Sequence, residues 1–304
     1  MAGSRKARAA PLLRGRHQTF GIYDSLLFIG KPDLSPYGFK RSRTVYESEL
    51  WPSKADRITP NEAAVRSKAR AVLAEGVTPS VPVILDVEHY STDIRLDLSQ
   101  IHSDTSIVDA NIRKLERIIG WFKHEAPKLE VGFYGVAPVD LGLPVTGQHP
   151  GNDTEMAIWE TANSYLIKFA THLDAIYPSL YTSTTDRAKL VAAARRYISE
   201  AKRIGAGKPV RPFIWPQYHD VMRHPLALTY VDYDYWMLQL TTIRDAGASG
   251  IVFWGGYQKQ WDDTQAWWRA RGPSIAPTLR GSRRVRMIHE PTGQPIRYVK
   301  GIRN

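Results

Sequence analysis

The feature that most constrains the fold is a regular alternation of short strand-like segments with longer helical ones. Segments rich in β-branched and aromatic residues predict seven strands, at residues 20–23, 43–46, 81–87, 130–135, 174–181, 210–215 and 250–254. Apolar residues spaced three and four apart predict helices at residues 61–75, 106–124, 186–204, 232–246 and 261–271. This order is typical of parallel strands joined by helical crossovers.

The chain contains no internal linker that would divide it into domains. No stretch rich in Pro, Gly and Ser separates Phe20 from Arg271. An α/β barrel needs about 250 residues, although two smaller domains would also fit a length of 304 residues. Polar and aromatic residues follow the predicted strands, which favours a barrel over an open sheet. We therefore predict a single α/β domain over residues 19–271, a (β/α) TIM-like barrel of seven or eight strands.

The residue types present exclude several kinds of chemistry. The chain has no cysteine, which excludes disulfides, thiolate metal sites and thiol nucleophiles. It has no GxGxxG turn after the first strand, no GxxxxGK[ST] loop and no GxSxG elbow, which are motifs of dinucleotide, phosphate and serine-hydrolase sites. Its histidines lack a persuasive metal-ligand spacing. We expect a site that uses neither a cofactor nor a metal ion.

Positive charge is concentrated at the two ends of the chain. Residues 1–18 contain five Lys or Arg and no acid, and residues 269–304 contain nine against the single acid Glu290, so the body between them carries −2 of the net +11. The basic arm (1–18) and the basic tail (272–304), with a small hairpin predicted in the tail, offer contact to a polyanion or an assembly partner, although solvated arms are commoner. Because we find no signal peptide or membrane span, we expect a soluble protein, cytoplasmic or released without a classical signal.

Two carboxylates end the predicted strand at residues 81–87. Residues two apart in a strand point to the same side, so Asp86 and Glu88 are predicted to face the same way. Each carboxylate disfavours ionisation of the other, and burial raises a carboxyl pKa further, so one of the two can stay protonated near neutral pH. A proton donor beside a stabilising carboxylate is what cleavage of a glycosidic bond requires. The alternative is structural, with Asp86 capping the strand and Glu88 pairing with an arginine.

Aromatic residues occur at the ends of the other predicted strands. Flat apolar faces and phenolic hydroxyls suit a pyranose ring, which stacks on the former and binds the latter through its polar edge. Each aromatic residue taken separately fits core packing as well, and only the shared position favours a site. The set comprises Tyr134, Tyr181, Trp215, Tyr218 and Trp254, with His219 and Asp220 nearby.

Five motifs in this order resemble the hyaluronidase family of glycoside hydrolases. The family carries D-[WF]-E, G-[FY]-Y-G-[FY]-P, P-S-[VI]-Y, an aromatic-rich P-Y strand and G-A-x-G-[VF]-x-[LI]-W-G. This chain has DVE at 86–88, GFYGVAP at 132–138, YPSLY at 177–181, PFIWPQY at 212–218 and GASGIVFWG at 247–255. The likeness covers residues 20–271.

The resemblance implies a retaining, substrate-assisted hydrolysis of β-linked N-acetylhexosaminides in an amino-sugar polymer or glycan. Glu88 would act as acid and base, and Asp86 would orient the 2-acetamido group. Tyr134, Tyr181 and Tyr218 would line the sugar site, and Trp254 would lie beneath the acetamido methyl group. Trp215 and Tyr90 complete the predicted contacts.

The chain also departs from the family pattern. Glu88 is followed by His89, Tyr90 and Ser91, whereas the family continues Trp-Arg-Pro; the aromatic position is kept and the arginine is not. The family's disulfides are absent, and a body charge of −2 gives no support for an anionic polymer. Two alternatives therefore stay open: a chitinase-like glycosidase acting on a neutral glycan, and a non-catalytic barrel that binds carbohydrate or serves in an assembly.

Overall fold

A computed structural model of the chain describes residues 20–51, 59–87, 105–139, 153–220 and 225–265. Short parallel strands alternate with helices through these residues. The strands are β1 (Gly21–Leu26), β2 (Phe39–Arg41), β3 (Arg43–Tyr46), β4 (Val83–Asp86), β5 (Val131–Phe133), β6 (Phe213–Ile214) and β7 (Gly250–Gly255). The helices are α1 (Glu47–Leu50), α2 (Glu62–Ala74), α3 (Thr105–Glu125), α4 (Asp153–Ser164), α5 (Leu166–Ala170), α6 (Arg187–Gly205) and α7 (Tyr233–Asp245), with a short 3-10 helix at Ser35–Tyr37.

The strands form two parallel sheets that together follow the course of a barrel. One sheet has the order β2-β1-β7-β6 and the other β3-β4-β5. Residues 176–179 join the sheets on one side, through single parallel bridges from Tyr177 to Tyr134 and from Ser179 to Phe213. On the other side β2 pairs with β1 and β3 pairs with β4, and only Ser42 separates β2 from β3. The predicted α/β barrel fold is confirmed. The described part of the chain has seven strand positions when β2 and β3 are counted as one and the bridging residues 176–179 as another.

Side-chain hydroxyl groups form hydrogen bonds at the boundary between the two sheets, where β2 pairs with β1 and β3 pairs with β4. The Ser25 hydroxyl lies 2.8 Å from that of Ser42 and 2.9 Å from that of Thr44. Ser42 also donates a hydrogen bond of 2.8 Å to the backbone carbonyl of Asp24. Side-chain hydrogen bonds thus link the two sheets where their backbone ladders do not continue.

The strand predictions differ from the structure at three places, the first being the strand predicted at residues 210–215, which is a strand only at Phe213–Ile214. Strand β2 was not predicted, because three residues with two exposed basic side chains show no alternation. The segment predicted at residues 174–181 is extended but makes only isolated bridges. Its Pro178 has no backbone N–H to donate to a ladder, although its carbonyl accepts from Phe213 N at 2.8 Å.

Four of the five predicted helices are present within one residue at each end. Their predicted first residues Asn61, Asp186 and Asp232 are N-caps, whose side chains accept the backbone N–H three residues later. The helix predicted at residues 261–271 has not begun by Gln265, and its remainder lies outside the described residues. Helices α1, α4 and α5 were not predicted.

The core has three layers, two outside the strands and one inside. Alternate strand residues pack outward against helices, as Val83 and Leu85 of β4 do on one side and Ile251 and Phe253 of β7 on the other. The intervening residues point inward, and together they form a mainly aromatic interior. The interior cluster consists of Tyr23, Ile84, Tyr134, Ala175, Tyr177, Tyr181, Phe213, Trp215, Val252 and Trp254.

Some predictions concern residues that the structure does not describe. The basic arm, the basic tail with its hairpin, and the assignment of residues 19–271 to one domain stay predictions. Among the described helices, none is both long enough and apolar enough to cross a membrane.

Candidate functional site

Asp86 is the last residue of β4 and faces the barrel interior. Ile84, two residues earlier, belongs to the interior cluster, whereas Val83 and Leu85 pack into the outer core, so the alternation turns Asp86 inward. The Asp86 side chain is buried, with a residue exposure of 9%. Its partner in the ladder is Tyr46 at the end of β3. Glu88 lies outside the described residues, and its orientation stays a prediction.

Four predicted aromatic residues come together inside the carboxyl end of the barrel: Tyr134, Tyr181, Trp215 and Trp254, here called the ring cluster. Tyr181 contacts the other three, with ring centroids 5.9 Å from Tyr134, 5.7 Å from Trp215 and 5.7 Å from Trp254. The Trp215 and Trp254 rings meet edge to face at 5.1 Å. These residues come from four separate strand positions, so only the tertiary fold brings them together.

Three of the four rings in the ring cluster have a polar group that donates a hydrogen bond to a residue outside the cluster. The Tyr134 hydroxyl donates to Ser179 Oγ at 3.0 Å, and Trp254 Nε1 donates to the Tyr46 hydroxyl at 3.0 Å. Trp215 Nε1 donates to Gln217 Oε1 at 2.8 Å. These bonds restrict the orientation of the three rings that make them.

A glycine makes room for Trp215. Gly255 has φ of +126°, a conformation that side-chain-bearing residues rarely adopt, and a Cβ atom there would overlap Cδ1 and Nε1 of Trp215. The indole therefore packs directly against the end of β7. This position is the last glycine of the GASGIVFWG motif.

The structure places two residues beside the ring cluster that the sequence pattern did not single out. Tyr46 ends a predicted strand, so the criterion used for the other aromatic residues would have identified it. Gln217 lies two residues beyond Trp215, on the same side of the chain, but an isolated glutamine carries no recognisable signal. The two residues act on different rings, Tyr46 on Trp254 and Gln217 on Trp215.

His219 lies at the edge of the ring cluster. Its imidazole centroid is 5.3 Å from that of Tyr181 and 5.9 Å from that of Trp215. Its Nδ1 lies 3.0 Å from Asp220 Oδ1, and the Asp220 side chain is 58% exposed. The imidazole is thus an additional polar group next to the rings.

Tyr218 occupies a different environment from the other predicted sugar contacts. Its ring packs in the outer core, 6.3 Å from the ring of Tyr235 on α7. Burial raises the pKa of its phenol, and the negative charge of Asp232 adds to this effect. The predicted contact of Tyr218 with a sugar stays a prediction, and Tyr90 lies outside the described residues.

A second polar cluster lies inside the opposite, amino end of the barrel. Arg211 forms a bidentate ion pair with Glu130, in which Nη2 is 3.1 Å from Oε2. The Tyr177 hydroxyl donates to Glu130 Oε1 at 2.7 Å and accepts from Arg211 Nη1 at 3.1 Å. The guanidinium also lies 4.9 Å from the centroid of the Tyr23 ring. We call these four residues the basal cluster.

The basal cluster neutralises its charges internally. Burial raises the pKa of the Tyr177 phenol well above its usual value, so this group stays protonated and can donate to Glu130. The side chain of Arg211 is only 5% exposed. An ion pair of this kind at the amino ends of barrel strands is typical of a structural role.

Among the described residues, no three His, Asp or Glu side chains are grouped so that they could hold a metal ion. The carboxyl end of the barrel instead combines an inward-facing carboxylate with a set of aromatic faces. This combination can bind a sugar ring and stabilise positive charge next to it.

The fold is similar to that of bee venom hyaluronidase. One crystal structure of that enzyme has a TM-score of 0.57 at 14% identity, over 86% of this chain and 100% of the other. A structure of the same enzyme in complex with a hyaluronic acid tetramer has a TM-score of 0.58 at 15% identity, over 86% and 98%. A broad-specificity endoglucanase from Bacteroides salanitronis has a TM-score of 0.44 at 11% identity, over 86% and 92%.

No protein-family model matches the chain, and no curated protein matches its sequence. At sequence identities of 14% and 15%, the structural similarity establishes the fold alone. The chain therefore has the (β/α) barrel fold of the bee venom glycoside hydrolase.

Proposed function

We propose that this protein is a glycoside hydrolase that cleaves β-linked N-acetylhexosaminides with retention of configuration. The observation that carries the proposal is the inward-facing Asp86 at the carboxyl end of β4, at the same end of the barrel interior as the ring cluster. In α/β barrels this end of the strands is where catalytic residues occur. The resemblance of the motif at residues 86–88 to the hyaluronidase motif supports the assignment of roles.

In the proposed first step, Glu88 donates its proton to the glycosidic oxygen as the bond from that oxygen to C1 breaks. The carbonyl oxygen of the substrate's own 2-acetamido group forms a bond to C1 from the opposite face. Asp86 orients the acetamido N–H and stabilises the positive charge of the resulting cyclic intermediate. Such substrate assistance is an established exception to the mechanism with two carboxylates.

In the second step, Glu88 takes a proton from a water molecule whose oxygen bonds to C1. The bond from C1 to the acetamido oxygen breaks, which restores the acetamido group and retains the configuration at C1. Two displacements at the same carbon account for the retention. The rings of Trp254 and Tyr181, which are inclined at 28° to each other, are the aromatic residues proposed to contact the sugar.

The substrate we propose is an oligo- or polysaccharide containing amino sugars. The bee venom enzyme, which shares the fold, has been crystallised with a hyaluronic acid tetramer. The net charge of −2 on the body of this chain favours a neutral glycan over an anionic one. Chitin oligosaccharides are therefore the first substrates to test.

The decisive experiment is Glu88→Gln, assayed against fragments of chitin, chondroitin, hyaluronan and peptidoglycan with products identified by mass. We expect cleavage by the unmodified protein of at least one fragment that contains N-acetylhexosamine. The variant should lose about 10³-fold in rate while still binding, because amide replaces acid without changing shape. Glu160→Gln on the exposed face of α4 is the matched control and should keep full activity.

Two outcomes would contradict the proposal in different ways. Binding of a glycan without release of any product would favour a non-catalytic carbohydrate-binding barrel. Cleavage of a β-glucan or β-mannan lacking acetamido groups, at a rate equal to that of an amino-sugar polymer, would retain the hydrolase and exclude substrate assistance.

A further inference from the structure

Gln217 is a fully buried polar residue that touches the ring cluster through one atom. It has no solvent exposure. Its Oε1 accepts the Nε1–H of Trp215 at 2.8 Å, and its Nε2 donates to the backbone carbonyl of Leu228 at 2.5 Å. One side chain therefore connects the candidate sugar site with a segment eleven residues further along the chain.

The two hydrogen bonds require a group that accepts and donates at the same time. The indole N–H of Trp215 can only donate, and the carbonyl of Leu228 can only accept. A primary amide satisfies both, and the partners fix which end of the amide carries the oxygen. An apolar side chain at this position would leave both partners without their bond in a buried place, which is costly.

Leu228, whose backbone carbonyl accepts the hydrogen bond from Gln217, has an unusual backbone conformation. Its φ is +63°, in the left-handed region that residues with a side chain seldom occupy. The Leu228 N–H donates to the carbonyl of Tyr218 at 3.0 Å, and Tyr218 N–H donates to Thr229 at 2.9 Å. Gln217 itself pairs antiparallel with Tyr230. The Gln217 amide and these backbone bonds together attach residues 225–231 to the end of β6.

Trp215 is held on its other sides as well. Gly255 leaves space for the indole edge at Cδ1 and Nε1, and the rings of Trp254 and Tyr181 contact it at 5.1 and 5.7 Å. These contacts are apolar, so they limit the space without specifying how the indole is turned. The hydrogen bond to Gln217 is the directional contact, because it requires Nε1 to point toward Oε1.

We propose that Gln217 is a positioning residue for the glycan site, which holds the Trp215 indole at the angle that a sugar face requires. This proposal rests on the proposed function, in which Trp215 contacts the sugar. A ring that is fixed before binding loses less freedom when the ligand arrives, and this raises affinity. Gln217 therefore acts on the ligand only through Trp215.

The first test observes Trp215 directly and needs no ligand. In protein labelled with ¹⁵N-tryptophan, the Trp215 indole resonance is assigned with Trp215→Phe. Gln217→Leu should move this resonance upfield and speed its exchange with solvent, because the hydrogen bond is lost. Gln239→Leu is the matched control: Gln239 is also buried and accepts from Thr182 at 2.9 Å, but it has no bond to Trp215. An unchanged Trp215 resonance in Gln217→Leu would overturn the proposal.

The second test measures binding of N-acetylchitotetraose by calorimetry, in the Glu88→Gln background so that the probe is not consumed. Gln217→Leu should weaken binding about 10-fold, and Gln239→Leu should change it less than about 2-fold. Unfolding curves of each variant confirm that the protein titrated is folded. A shifted Trp215 resonance with unchanged affinity would overturn the positioning role.

In Gln217→Glu, we expect glycan affinity to be lost at high pH and to recover when the new carboxyl group is protonated. A protonated carboxyl group has the same shape as the amide and also accepts and donates, whereas the ionised group cannot donate to Leu228. Burial raises the pKa of a carboxyl group, so affinity relative to the unmodified residue should recover between pH 8 and about pH 5. Each affinity is compared with that of the protein with unmodified Gln217 at the same pH, which removes pH effects common to both proteins. Equal relative affinity at both pH values would contradict the proposal.

The two proposals fail in distinguishable ways. If no amino-sugar oligosaccharide binds to protein with unmodified Gln217, the proposed function fails, and with it the binding role of Gln217. The indole resonance then still shows whether Gln217 holds Trp215. If the glycan binds and Gln217→Leu changes nothing, only the positioning proposal fails.

Discussion

The two ends of the barrel interior use the same residue types for different purposes. At the amino end the carboxylate of Glu130 pairs with Arg211, and the phenol of Tyr177 completes the pair. At the carboxyl end Asp86 faces an interior whose tyrosines and tryptophans contact one another mainly through their rings. Polar groups of the rings there bond to Ser179, Tyr46 and Gln217.

The contrast is between a cluster that an ion pair holds together and a cluster built mainly from ring contacts. A buried ion pair is stable only when its partners stay together, so the basal cluster cannot lose one member without cost. Ring faces impose no such requirement and can exchange their contacts for those of a sugar. We therefore expect changes at the amino end to reduce stability and changes at the carboxyl end to reduce activity.

The largest expected effect is that of Asp86→Asn on hydrolysis. Loss of the carboxylate removes stabilisation of the charged intermediate, so the rate should fall about 10³-fold, equivalent to about 4 kcal/mol. The melting temperature should change by less than about 2 °C, because the amide keeps the size of the side chain. Product release by chromatography and thermal unfolding provide the two measurements.

Asp24→Asn is the control for this change. Asp24 also belongs to a barrel strand, but its carboxylate pairs with Lys31 at 2.6 Å on the outside. Its substitution should leave the rate unaffected. An Asp86→Asn variant with full activity would exclude the proposed role of Asp86.

The second effect is that of Arg211→Met on stability. Removing the guanidinium leaves the partly buried carboxylate of Glu130, whose side chain is 24% exposed, without this partner, so the free energy of unfolding should fall by about 2 kcal/mol. Urea unfolding measures this loss, and the rate per folded molecule should stay within about threefold. Arg211→Met combined with Glu130→Gln should recover part of the stability, since no unpaired charge remains. A stable but inactive Arg211→Met variant would contradict the division between the two ends.

The smallest effect concerns the ion pairs of Glu49 with Arg43 and Lys68, beside β3. Their charges are partly exposed, so they show how much less an ion pair contributes to stability outside the barrel than the basal cluster does inside it. Burial alone would raise the pKa of Glu49, but hydrogen bonds from Arg43 and Lys68 and from the Tyr46 N–H outweigh it and hold this pKa at about 2. Since the folded pKa lies below the ordinary value of 4.5, the stabilisation is present above about pH 4.5 and is lost as the pH falls toward 2.

Glu49→Gln should therefore lower the free energy of unfolding by about 0.5–1 kcal/mol at pH 7. The difference from the unmodified protein should shrink below pH 4.5 and disappear near pH 2. Glu62→Gln, which removes a half-exposed pair with Arg66 within α2, should have a smaller effect. Urea unfolding across this pH range checks both variants, and a difference that persists at pH 2 would exclude the electrostatic explanation.

The elements that the sequence predicted correctly are those with a strong local signal. Helix α6 shows a regular apolar face and an aspartate N-cap, and both depend only on neighbouring residues. Strand β2 has three residues and two exposed basic side chains, so its pairing with β1 depends on the rest of the sheet. The extended segment around Pro178 similarly takes its bridges from the strands on either side.

The sequence by itself determined the alternation of strands and helices, the inward direction of Asp86 and the aromatic character of the strand ends. These properties follow from side-chain periodicity within single segments. Tertiary structure decided which rings meet, that Tyr218 packs outside them, and that Gln217 and Tyr46 hold Trp215 and Trp254. Those contacts join residues from 2 to 208 positions apart, and their geometry exists only after the strands have assembled.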